Sequence, residues 1–238
     1  MWETARASGA GSVVFLRIED HDRQRSRKTF EASILEDLAW LGFVAEGPIV
    51  RQSERTAIYE EALDSFRRRG LVYACSCSRT DISGQRYPGT CAHRNLAEAP
   101  GLGLRIRIDD EVERFDDLRL GPQEQQPSAQ CGDVLARDRD GNWTYQFAVA
   151  VDDWKQGVNL VIRGEDLLDS TGRQIQIARM LGRTEPPRFL HHPLVMKSRE
   201  SAPQKLSKSD GDTGIRDLRA RGWSAEQVIA AIPRELRP

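Results

Sequence analysis

The chain has 238 residues, of which 39% are hydrophobic and 30% charged, with a net charge of −1; that length suits one large domain, or one domain carrying an insertion, around a substantial core. No strongly basic tail argues for tight non-specific nucleic-acid binding. No apolar run approaches the roughly 20 residues of a membrane span, and the N-terminus lacks a secretory signal, so the expected compartment is the cytoplasm and no membrane partner is expected.

The first ten residues, "MWETARASGA", read as the back half of a helix running into Gly9 and Gly11, and Val13 to Ile18 as a buried strand. "FEASILEDLAWL" places Phe30, Ile34, Leu38 and Leu41 at helical spacing with Gly42 as a stop signal. "TAIYEEALDSFRRRG" predicts a second helix ending at Gly70, and "LVYACSCS" a short strand entering a cysteine cluster. Residues 81 to 103 are rich in Gly, Pro and polar types and read as a loop-dominated insertion. "LRIRI" (104 to 108) alternates like a half-exposed strand, and "GPQEQQPSAQCGD" reads as a further loop. "YQFAVAVDDW" and "GVNLVIRGEDLL" read as two strand-like runs ending in acidic or polar residues, and "TGRQIQIARMLG" as a helix offering Ile175, Ile177, Ala178 and Leu181 to a core. This order of strands and helices predicts an α/β fold split by a cysteine-bearing insertion.

Several short stretches carry chemistry. Polar groups at the carboxyl ends of parallel strands lie where open α/β sheets bind ligands. "RIEDHD" offers Glu19 there for a cationic group such as an α-amino group, while Asp20 or Asp22 reads as a cap of the next element. "VIRGEDLLDST" offers Arg163 for a bidentate grip on a carboxylate, and Tyr145 a hydroxyl, although a strand aromatic more often belongs to a core. "KLSKS", with Lys205 and Lys208, is either a phosphate clamp or a solvated basic loop. Of the four cysteines, Cys75, Cys77 and Cys91 are close in sequence and Cys131 is separate. In a reducing compartment that clustering favours metal ligation over disulfides, with unrelated thiols the alternative. Three thiolates fall one short of a closed zinc site, and His93 and Tyr87 compete for the fourth place, histidine being the more usual ligand.

In order, "RIEDHDRQRS", "CSC…YPGTC", "TYQFAVAVDDWKQGVNLVIRGEDLLDST", "HHPLV" and "KLSKS" make the chain resemble the catalytic domain of glutamyl-type class I aminoacyl-tRNA synthetases. Within them it is most similar to the short paralogues that attach glutamate to the queuosine base of tRNA(Asp). The likeness rests on "CSC…YPGTC" and on the short stretch of chain after "KLSKS", which leaves no room for a helical anticodon-binding region. The resemblance implies an α/β, Rossmann-like parallel-sheet domain in three parts: residues 1–73, a zinc-bearing insertion over 74–135, and 136–238 with the KLSKS loop and C-terminal helices. It implies that Glu19, Tyr145 and Arg163 bind glutamate, that Lys205 and Lys208 act on ATP held with Mg2+, with Lys208 in contact with the nucleotide, and that Cys75, Cys77, Tyr87 and Cys91 hold one structural Zn2+. The implied partners of this monomer are L-glutamate, ATP and queuosine-containing tRNA(Asp). A detached glutamyl-tRNA synthetase catalytic domain and a non-catalytic zinc-bearing RNA- or protein-binding relic are the alternatives. In this family a strand with a Pro-containing segment leads into a HIGH-like motif opening the helix that continues as "WETARASGAGSVVFLRIED". The present sequence contains neither, and if Met1 is the start, weak or no adenylate formation and reduced stability are expected.

Overall fold

A computed structural model describes residues 1–7, 9, 11–20, 28–78, 80–82, 84, 86–197, 204–205 and 213–232. In chain order the elements begin α1 (Trp2–Ala7), β1 (Arg17–Ile18), α2 (Lys28–Trp40), β2 (Val50–Arg51), α3 (Thr56–Arg68) and β3 (Val72–Cys75). They continue β4 (Gly103–Ile106), β5 (Glu113–Asp117), β6 (Gly121–Gln125), α4 (Pro127–Gln130), β7 (Val134–Arg137), α5 (Tyr145–Lys155) and β8 (Leu160–Gly164). The last are α6 (Thr171–Met180), β9 (Arg188–His192), β10 (Met196–Lys197), β11 (Gln204–Lys205), α7 (Ile215–Ala220) and α8 (Ala225–Ala230). The chain divides into two units, one of Met1–Ile18, Ser26–Val50 and His192–Pro238, the other of Glu19–Arg25 and Arg51–His191.

In the first unit, the indole of Trp2 donates to the Val44 carbonyl (2.8 Å) and stacks on Phe43, which seats α1. The expected strand over Val13 to Ile18 is corrected to Arg17–Ile18. The Val14 and Leu16 carbonyls accept from Glu46 and Val50 N–H (2.9 and 3.0 Å), whereas the side chains of Val13 and Phe15 stay exposed, so the run is apolar without being core. No residue of α2 is buried. Its acidic face instead meets α7, where Arg216 pairs with Glu36 and Arg219 with Asp37 (3.0 and 3.1 Å).

The second unit holds the main core. Helix α3 turns Tyr59, Ala62, Leu63 and Phe66 inward at helical spacing, and ends where Gly70 adopts φ +68° and the Leu71 N–H returns to the Phe66 carbonyl. These side chains pack with Ile106, Trp143, Phe147, Val151 and Ile177. Two larger sheets lie in this unit, the first contributing Ala74, Leu104, Ile106, Val134 and Ala136 to this core and the second Phe115 and Phe189 to a separate cluster around Ile175. One runs β3–β4–β7, antiparallel throughout; the other runs β6–β5–β9–β8, with β5 antiparallel to β6 and parallel to β9 at Asp117 and Phe189. The expected parallel sheet is therefore a mixed α/β arrangement.

Three further expectations change. "YQFAVAVDDW" is the helix α5, not a strand, and its residues Phe147 through Asp153 are all buried. A helix enclosed on all sides loses its polar face, and with it the 3.6-residue period that marks helices in sequence. The half-exposed strand over 104 to 108 is β4, buried along its whole length because Arg105 finds partners inside. The loop assigned to "GPQEQQPSAQCGD" contains β6 and α4, with Pro127 at the first turn of α4, where no amide donor is needed.

Candidate functional site

Glu19, Tyr145 and Arg163 belong to one unit. Glu19 follows β1, Tyr145 opens α5 and Arg163 is the penultimate residue of β8, so each stands at the end of an element, as ligand-binding side chains of α/β folds do. The Tyr145 hydroxyl and the Arg163 guanidinium act on one another electrostatically. Burial first, and then the Glu19 carboxylate, push the Tyr145 hydroxyl up from its ordinary value, while Arg163 opposes them. Burial lowers the Arg163 guanidinium, with Tyr145 and Asp153 acting in the other direction. The set thus combines an acid, a neutral phenol and a guanidinium still protonated at neutral pH.

Sequence reasoning missed the side chains around Arg163. Its Nε donates to His191 Nε2 (3.1 Å), Nη1 to Gln174 Oε1 (2.5 Å) and Nη2 to Thr171 Oγ1 (2.8 Å). Gln174 in turn donates to Gln146 Oε1 (2.7 Å), one residue after Tyr145. "HHPLV" and "LLDST" held His191 and Thr171 in view, but no spacing rule ties them to β8. Asp20, which reads as a cap of the next element, instead has its described partner 33 positions on: its carboxylate accepts from the Ser53 amide and hydroxyl (2.8 and 2.6 Å). Asp22 lies outside the described residues.

The cysteine expectation brings together residues from β3 and the following loop. The sulfurs of Cys75, Cys77 and Cys91 lie within 4.8 Å of one another, with Cys77 and Cys91 3.7 Å apart. Tetrahedral zinc with Zn–S bonds near 2.3 Å separates its sulfurs by about 3.8 Å, so the donor set fits that ion. The Tyr87 hydroxyl stands 3.5 Å from Cys75 Sγ and accepts the Cys91 amide (2.8 Å), whereas His93 is exposed and outside the group. Tyr87 is held by its backbone: its N–H donates to the Cys131 carbonyl (2.9 Å), and Gly132, at φ +66°, lies so close that an added Cβ would overlap the Tyr87 carbonyl.

Arg105, read only as part of an alternating strand, is the unforeseen member. It donates to Cys75 Sγ (3.3 Å) and the Asp133 carbonyl (2.8 Å), and its guanidinium lies 3.6 Å over the Tyr87 ring. Arg94 also reaches Cys91 Sγ (3.8 Å). Burial pushes the Cys91 thiol up, but hydrogen bonds from Ser76 and the neighbouring thiols outweigh it and bring it to about 6; burial and Cys91 push Cys77 up to about 11. Two guanidinium groups beside three thiols suit a site that carries negative charge.

Lys205 is in β11, where its backbone pairs with Met196 of β10, in the first unit. Lys208 lies outside the described residues.

Residues 2–235 match the family described as tRNA synthetases class I (E and Q), catalytic domain. The chain belongs to that family. It is 42% identical over 208 residues to a glutamyl-Q tRNA(Asp) synthetase of Bordetella bronchiseptica, covering 82% of this chain and 64% of the relative. It is 38% identical to the protein of that name from Pseudomonas syringae pv. syringae (97% of this chain, 75% of the relative) and 35% identical to that from Rhodobacter capsulatus (93% and 88%). Among solved structures, a glutamate tRNA ligase from Elizabethkingia meningosepticum superposes with a TM-score of 0.72 at 25% identity, over 93% of this chain and about half, 49%, of the ligase. Class I synthetases of this family are ligases that use ATP. Among the described residues no helix is long and apolar enough to cross a membrane.

Proposed function

We propose that this chain activates L-glutamate with ATP and transfers it to the queuosine base of tRNA(Asp), the activation step needing no tRNA. The observation that carries the reading is the grouping of Glu19, Tyr145 and Arg163 in one unit, with an acid and a guanidinium on either side of the phenol in its electrostatics. An amino acid with two carboxylates and one ammonium needs such a set. Glu19 takes the α-ammonium and Arg163 the side-chain carboxylate, a charge-assisted pairing that a neutral amide side chain does not match. Tyr145 adds a hydroxyl beside Arg163. The α-carboxylate is then the nucleophile at the α-phosphorus of ATP, giving glutamyl-adenylate and pyrophosphate, a step helped mainly by positioning and by cations that meet the developing phosphate charge. Lys205 and Lys208 supply those cations, with Mg2+ as the counter-ion of ATP. The glutamyl group then passes to a hydroxyl of the queuosine cyclopentenediol.

We assign Cys75, Cys77, Cys91 and Tyr87 to one Zn2+, which when bound stiffens the insertion over residues 74–135. Arg105 offsets the thiolate charge and Gly132 seats Tyr87. Similarity to the glutamyl-Q tRNA(Asp) synthetases favours queuosine-containing tRNA(Asp) as acceptor, while the fold likeness to a glutamate tRNA ligase keeps tRNA(Glu) as the second reading.

The test is ATP–pyrophosphate exchange with L-glutamate in the absence of tRNA, followed by charging of queuosine-containing tRNA(Asp) and of tRNA(Glu). Exchange with glutamate and charging of the former alone are expected. Charging of tRNA(Glu) alone selects the second reading, and absence of glutamate-dependent exchange removes the activation step from this chain.

A further inference from the structure

Behind Arg163 stands a hydrogen-bonded chain that runs through His191 to Asp117. Asp117, at the end of β5, spends one carboxylate oxygen on the Arg119 and Leu120 amides (2.9 and 2.8 Å). The other accepts the His191 amide (3.0 Å) and lies 2.7 Å from His191 Nδ1. All its lone pairs therefore face donors, so the carboxylate is ionised and Nδ1 carries a proton. Nε2 of His191 is then a bare acceptor, which is what Arg163 Nε–H requires at 3.1 Å; the Thr171 hydroxyl, 3.2 Å from Nε2, accepts from Arg163 Nη2 and donates to the ring. The other tautomer would set an N–H against a guanidinium N–H, and a protonated ring would set two cations side by side in a wholly buried place. Phe189 closes the arrangement, stacked on the His191 ring at 5.8 Å with Arg163 5.4 Å over its own ring. The hydrogen-bond acceptors described around Arg163 are neutral, although the charge of Asp153 also acts on it.

We infer that His191, oriented by Asp117 as the Nδ1–H tautomer, is a positioning residue that fixes the guanidinium plane of Arg163 for an anionic ligand group. The inference rests on the reading of Arg163 as the residue that binds a carboxylate of glutamate. Its logic is that of any carboxylate–imidazole pair, in which the acid selects the tautomer and the tautomer selects what the far nitrogen can hold.

The experiment compares His191→Asn, His191→Gln, Asp117→Asn and Arg163→Lys in glutamate-dependent ATP–pyrophosphate exchange, with folding checked by circular dichroism and the His191 ring nitrogens read by 15N NMR. His191→Asn keeps a donor towards Asp117 but does not reach Arg163; glutamate KM is expected to rise by about tenfold or more with kcat within about twofold. His191→Gln, whose carbonyl can reach Arg163 Nε–H, recovers part of that loss. Asp117→Asn is expected to move the ring proton towards Nε2 and to raise KM similarly. A folded His191→Asn protein with unchanged KM, or an Nε2–H tautomer in the unmutated chain, overturns the inference. If Arg163→Lys raises KM while His191→Asn does not, only the positioning role falls. If Arg163→Lys also leaves KM unchanged, or the unmutated chain shows no glutamate exchange, the glutamate reading falls, and the NMR arm decides the tautomer by itself.

Discussion

Replacing Arg55 by Met tests a wholly enclosed charge, that of Asp152. Asp152, in the middle of α5, is wholly buried and accepts from Arg55 Nε (2.7 Å), Gln52 Nε2 (2.9 Å) and the Tyr59 hydroxyl (2.8 Å). Arg55 brings the compensating charge, and its side chain is 16% exposed. Met keeps much of its volume and removes the charge, leaving a buried carboxylate with two neutral donors. Breaking such a pair from one side costs about 3–5 kcal/mol, most of it the penalty of the stranded ion. At about 2–4 °C per kcal/mol for a chain of this size, the melting temperature should fall by about 6–20 °C. Asp152→Asn should cost less, about 1–3 kcal/mol, because the Arg55 head group retains access to water. The double variant should then be less destabilised than the sum of the two by at least about 1 kcal/mol. Urea unfolding of all four proteins at pH 7.5 provides the measurement. An Arg55→Met loss below about 1 kcal/mol, or simple additivity in the double variant, would refute the reasoning.

For the thiol cluster, Tyr87→Phe should weaken zinc binding by about tenfold or more in a chelator competition and His93→Ala should leave it unchanged; zinc loss in the histidine variant alone reverses the assignment. Gly132→Ala places a Cβ against the Tyr87 carbonyl at a positive φ and should cost about 2–4 kcal/mol in urea unfolding, whereas a loss under about 0.5 kcal/mol would mean that this turn gives way easily. The Asp117–His191 pair predicts a pH effect on stability. Burial, with Arg163 and Arg119 nearby, lowers the His191 pKa despite Asp117, so the unfolded chain binds the proton more tightly. The associated stability is complete above the ordinary histidine pKa of about 6.5 and is lost as the pH falls through the folded value. Asp117, whose pKa burial raises but whose hydrogen bonds from Leu120, His191 and Arg119 bring it down overall, has the same sign at lower pH. Unfolding free energy should therefore decline from about pH 6.5 to 5, with a flatter profile in His191→Gln; equal slopes in the two proteins would exclude His191 as the source.

How far the sequence could be read depended on whether a residue's partners were local. Helix α3 was legible because its four buried side chains repeat at helical spacing and Gly70 ends it within the same stretch of chain. Residues Glu19 and Arg163 were legible as element ends, and Cys75, Cys77 and Cys91 as a cluster, because each stands in a short distinctive run. Helix α5 was not legible: burial on every side removed the polar stripe, and Val149 and Val151 gave it the look of a strand. Strand β6 was not legible either, since "GPQEQ" has almost no apolar content and exists by pairing with β5 from Glu113↔Gln125 to Asp117↔Gly121.

The same distinction explains why the charged residues that surround the candidate sites went unseen. Arg55 meets Asp152 across 97 positions, His191 meets Asp117 across 74 and Arg105 meets Cys75 across 30. Each pairing sets a donor or a cation against an acid or a thiol in a place with little water, where leaving either side unmet is costly. Composition can count such groups, but which guanidinium meets which acid depends on how β5, β8, β9 and α5 assemble. Arg105 shows the consequence most directly. In "LRIRI" its alternation suggests a solvent-facing cation, yet the strand is buried because Cys75, Asp133 and Tyr87 are there to receive it. Its burial and the gathering of the thiols are thus parts of one arrangement, and a change at either should be felt at the other.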